Sequence, residues 1–172
     1  MPRHSLVTYS EIVRGAAGAL IASSSLIVGS LVDTENPALA STISLCQSVP
    51  SVTQLVVTRH NEFLNNQPRF SFSSVITVHK ASPVRDIAHA LCALPDMPVG
   101  IYCPADIGIS YRLNFMSRSH PFAAVTINAS GCEDVDGLHL TRWAARSQNF
   151  WPTFGRDLML SKPNHATFIG GL

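Results

Sequence analysis

Two neighbouring stretches alternate apolar and polar side chains with a period of two: Tyr111-Arg112-Leu113-Asn114-Phe115-Met116, and residues 122–129 (FAAVTINA). Successive strand side chains point to opposite faces. Tyr111, Leu113 and Phe115 therefore share an inward face, as do Val125 and Ile127, while Arg112 and Asn114 point outward. The link Ser117-Arg118-Ser119-His120-Pro121 is short and polar, which makes the two stretches an antiparallel hairpin with Met116 opposite Pro121 or Phe122.

A second pair of strands precedes it. Residues 51–60 (SVTQLVVTRH) place Leu55 and Val57 on one face and Val56 and Thr58 on the other. Residues 72–79 place Phe72, Ser74, Ile76 and Val78 together, and Asn65-Asn66 and Pro68 mark the loop between the two strands. Residues 82–94 read as a helix. Ser82 is the expected N-cap, Pro83 the first helical residue, and Asp86 lies near the positive end of the dipole. Val84, Ile87, Ala88, Leu91 and Cys92 recur at helical spacing, and Pro95 ends the run. Residues 138–143 (LHLTRW) suggest a fifth strand, and Pro152 opens a last helix that turns Phe154, Leu158 and Trp151 to the sheet. The predicted fold is α+β: an antiparallel sheet of four or five strands in the order β-β-α-β-β-(β)-α, with helices on one face.

All four cysteines, Cys46, Cys92, Cys103 and Cys132, lie after residue 40. Cys103 and Cys132 flank the central hairpin almost symmetrically, so a bridge there would close its open end. Cys46 and Cys92 then remain, although four cysteines allow three connectivities.

The string Cys103-Pro104-Ala105-Asp106-Ile107-Gly108, followed by Tyr111–Phe115 and Gly131-Cys132, resembles a pattern of small exported proteins common in high-GC Gram-positive bacteria. These have a signal or lipobox, a strand ending near Arg, a helix ending in Leu-Pro, a C-P-x-D-x-G segment, a hairpin and a G-C. Residues 52–138 follow that order. The resemblance implies export and a disulfide, and no activity. It departs at the lipobox, because Leu45 stands where a small residue would have to precede Cys46.

The N-terminus agrees with export. Arg3, His4 and Arg14 precede residues 15–32, which carry no charge, and Ala38-Leu39-Ala40 offers small residues to a peptidase. We read residues 1–40 first as a cleaved signal peptide and second as a retained anchor, with residues 41–172 forming one α+β domain outside the cytoplasm. A core helix diluted by Gly15, Gly18, Gly29 and four serines comes third. Membrane contact is expected only through residues 15–32, if they are uncleaved.

Charged residues are 13% of the chain and the net charge is +1, which argues against a nucleic-acid partner. The histidines lack H-x-x-x-H spacing and the cysteines lack C-x-x-C, so we expect no metal and no cofactor. Glu133, Asp134 and Asp136 before Gly137 lack the register of a calcium loop and read as a solvated turn. Asp106 and Gly108 read as a turn, through a side-chain bond two residues on and a positive φ. Trp143, Phe150, Trp151 and Phe154 read as core packing or as a partner groove. The leading reading is an exported or surface module that binds an unknown protein or envelope component. The alternative is a small hydrolase-like enzyme combining Asp106 with His79 or His139.

Overall fold

The computed structural model describes residues 44–62 and 69–171. The expected export segment, residues 1–40, and most of the loop after the first strand lie outside them. The strands are β1 (Val52–Asn61), β2 (Val75–Val78), β3 (Ile109–Ser117), β4 (Val125–Asn128), β5 (Asp134–Asp136) and β6 (Arg142–Trp143). The helices are α1 (Ala81–Cys92), α2 (Phe150–Asp157) and α3 (His165–Phe168). The strands form one antiparallel sheet in the order β2-β1-β3-β4-β5-β6.

The central hairpin has the expected register, with Met116 opposite Pro121 and Leu113 opposite Val125. Inward residues Leu55, Leu113, Phe115, Val125 and Ile127 are fully buried. They join Val84, Ile87 and Leu91 of α1 and Phe150, Phe154 and Phe168 of α2 and α3 in one core. The helices thus cover a single face. The outward face carries Thr58, Arg112, Asn114 and Thr126 with Asp136, and there Val75 is half exposed. At the start of β1 the register to β3 shifts between Val52 and Gln54, leaving Thr53 as an extra residue.

Three expectations need correction. The sheet has six strands: the acidic run expected to be a solvated turn is β5, whose Val135 is buried opposite Ile127. One apolar residue in three shows no periodicity. Helix α1 starts at Ala81 with Lys80 as N-cap and no side-chain cap, so Ser82 is not the cap and Pro83 is the third helical residue. Pro83 is tolerated there because the first-turn N–H groups have no intrahelical acceptor. By the same allowance α2 begins at Phe150, two residues before Pro152.

Candidate functional site

Of the three possible connectivities, the structure shows Cys46–Cys92 and Cys103–Cys132, with Cα separations of 5.5 and 4.8 Å. The second bridge closes the loop that carries Asp106. Oδ1 of Asp106 accepts the Gly108 N–H at 2.9 Å and the Ser130 hydroxyl, and Ser130 Oγ in turn accepts the Ile107 N–H at 3.1 Å. Gly108 has φ +71°, which a side chain would strain. Oδ1 of this carboxylate thus shapes the entry to β3.

Neither histidine of the hydrolase reading reaches it. His79 follows Val78, which pairs with Leu55 near the start of β1. Asp106 sits beside Gly108, whose carbonyl accepts from Glu62 past the other end of β1. At ~3.3 Å per residue the two ends stand more than about 20 Å apart. His139 also lies near the start of β1, lining a hollow of about 420 Å³ with Cys46, Gln47 and Arg142. Its φ is +77°. Arg142 donates to the Leu94 carbonyl at 3.2 Å and pairs with Asp96 at 2.5 Å, while its buried Nε has no partner.

The aromatic cluster divides. Phe150, Trp151 and Phe154 are buried, so no surface patch joins Trp151 to Trp143. Trp143 instead lies on the outward face opposite Asp134, beneath the Arg146 guanidinium at 4.8 Å. Trp151 Nε1 donates to Glu133 Oε2 at 2.6 Å, and its ring stacks on His165 at 4.9 Å. His165 Nε2 lies 2.7 Å from the Ala129 carbonyl. A carbonyl only accepts, so this nitrogen carries the proton. These contacts pin α2 and α3 to the disulfide end of the sheet. Sequence reading missed them because their members come from four separate segments.

A second group surrounds the tip of the central hairpin. Ser117 Oγ accepts the N–H groups of Ser119 and His120 and donates to the His120 carbonyl at 3.0 Å. Its one proton is thereby used. His120 Nδ1 lies 3.0 Å from both the Ser117 and the Ser119 hydroxyl oxygens. Nε2 is buried and has no partner. These residues, with Arg85 and Arg118, line a hollow of about 300 Å³.

The described residues hold no group of three or more histidine, cysteine, aspartate or glutamate side chains placed to bind a metal. Among them no helix is long and apolar enough to cross a membrane. Comparison with family models, with curated proteins and with solved structures finds no match.

Proposed function

We propose that this chain works outside the cytoplasm as a disulfide-stapled module that binds a protein or envelope component rather than transforming it. The observation that carries the reading is the use of all four cysteines in two bridges. Cytosolic thiols are kept reduced, whereas exported domains of this size retain structural disulfides. The uncharged stretch 15–32, Ala38-Leu39-Ala40 and the resemblance to small exported bacterial proteins agree with it. Binding is favoured over hydrolysis because Asp106 is committed to its turn and stands away from His79 and His139.

Native cells producing the chain should be fractionated, and the recovered protein sequenced from its N-terminus and mapped without reduction. The expected product begins at Ser41 and carries both bridges. An intact Met1 with four reduced thiols in the cytosol would overturn the reading. An intact oxidised chain in the membrane fraction would keep it and select the anchored form. Co-purification from the envelope then identifies the partner.

A further inference from the structure

The hollow at the hairpin tip collects positive charge without a counter-charge among its lining residues. Arg85 comes from α1, Thr53 from the irregular start of β1, and Arg118, Ser119 and His120 from the turn between β3 and β4. No lining residue is acidic. Arg85 is braced by its Nε, which donates to the Val52 carbonyl at 3.3 Å. Among the described residues, its terminal nitrogens make no further bond and the Arg118 side chain makes none. Asp86, the next residue after Arg85, is exposed, and its field acts on Arg156. The His120 ring beside them is held in place by the serine network.

We propose that this hollow binds the phosphate group of a phosphate-bearing ligand. One guanidinium satisfies a planar carboxylate through a two-pronged bond. Two guanidiniums from different elements, Arg85 of α1 and Arg118 of the hairpin turn, supply more donors and more charge than one carboxylate takes up, which suits a phosphate oxyanion. About 300 Å³ exceeds what a bare phosphate fills and leaves space for the first atoms of an esterified alcohol. The site gives the binding reading a ligand chemistry, and it rests on that reading only for its biological role. The phosphate could arrive as a soluble ion or ester, or as a lipid headgroup.

The test uses the full oxidised chain. Inorganic phosphate is titrated by calorimetry, and vesicles of phosphatidylcholine with and without phosphatidic acid are tested by flotation. Arg118→Gln is the primary variant, because Arg118 supports nothing else in the fold. Arg85→Lys keeps a charge and a long stem but loses the fork. Arg112→Gln, on the outward face of the sheet, is the control. We expect saturable phosphate binding, weakened about tenfold or more by Arg118→Gln, weakened by Arg85→Lys, and unchanged by Arg112→Gln. Phosphate binding without vesicle flotation supports the site and assigns it a soluble ligand. Flotation that needs phosphatidic acid, is competed by phosphate and is lost in Arg118→Gln supports it and assigns a lipid.

No saturable phosphate binding, equal losses in Arg118→Gln and Arg112→Gln, or flotation indifferent to Arg118 would each overturn the proposal. An exported, doubly bridged chain that ignores phosphate removes this site and leaves the export reading standing. A reduced cytosolic chain that binds phosphate through Arg118 does the reverse.

Discussion

The Tyr111 hydroxyl donates a 2.7 Å hydrogen bond to the Phe168 carbonyl, fastening α3 to the middle of the sheet. Both residues are fully buried, and their rings meet edge to face at 5.4 Å. Burial pushes the Tyr111 phenol well above the ordinary tyrosine range, against a smaller opposing pull from Arg59. Tyr111→Phe should cost about 1–2 kcal/mol in urea unfolding at neutral pH, because a buried carbonyl loses its donor.

The same phenol gives a pH signature. Above about pH 10 the unfolded chain ionises this tyrosine while the folded chain keeps it protonated, so the unfolded state binds fewer protons. Its contribution is fully present below that range and declines as pH rises toward the elevated folded value. Stability of the native chain should fall more steeply between pH 10 and 11 than that of Tyr111→Phe. Parallel slopes would show that Tyr111 ionises in the folded state as freely as in the unfolded one.

The bridges close loops of 46 and 29 residues. Loop entropy assigns them about 4.0 and about 3.6 kcal/mol respectively. Either is a large share of the roughly 5–15 kcal/mol that holds a domain together. Replacing Cys103 and Cys132 with serine should lower the melting temperature by more than about 10 °C. Losing the Cys46–Cys92 bridge should cost at least as much. A scan of each double-serine variant decides it.

Trp151→Phe keeps the ring stack but removes the donor to Glu133, whose side chain is only 16% exposed. A bond to a charged group contributes about 1.5–3 kcal/mol, and that is the expected loss in chemical denaturation. Glu133→Gln retains an acceptor oxygen and should lose less. Equal losses would mean that the carboxylate charge, rather than the bond, supports the helix.

Gly155→Ala separates two principles. In an ordinary helix interior alanine is better than glycine by about 1 kcal/mol. Here a Cβ would stand 2.7 Å from Pro163 Cα and 3.3 Å from the Phe168 ring. Forcing a methyl group into packed backbone costs about 1–3 kcal/mol, so the substitution should destabilise α2 against α3. A raised melting temperature would show that the segment around Pro163 yields.

Local pattern carried much of this fold. Alternation at Tyr111, Leu113 and Phe115 gave the inward face of β3, and the short polar link set the hairpin register. Helical spacing at Val84, Ile87, Ala88 and Leu91 matched the buried side of α1. Asp106 and Gly108 were legible because an aspartate bonding two residues ahead is a local event. The remainder depends on contacts that local pattern does not contain. Val135 is buried by its neighbour Ile127, and Phe168 by Tyr111 and Phe154. Arg85 and Arg118 line one hollow only because β1 and β3 bring α1 beside the hairpin turn. Charge convergence of that kind has no signature in sequence order.

The long pairing of β1 with β3 also fixes how the chain must reach its native state. Leu55 meets Phe115 and Asn61 meets Ile109, so the central ladder joins segments far apart in the chain, with β2 and α1 between them. Pairings of this kind require loop closure before any contact rewards it, and they slow folding toward the millisecond-to-second range. Until the ladder forms, the apolar inward side chains of β3 remain available to other chains. The Cys46–Cys92 bridge ties the segment just before β1 to the end of α1, shortening the effective search for β3. An oxidised chain released from denaturant should therefore regain its sheet faster than a reduced one, and it would spend less time as a species able to aggregate.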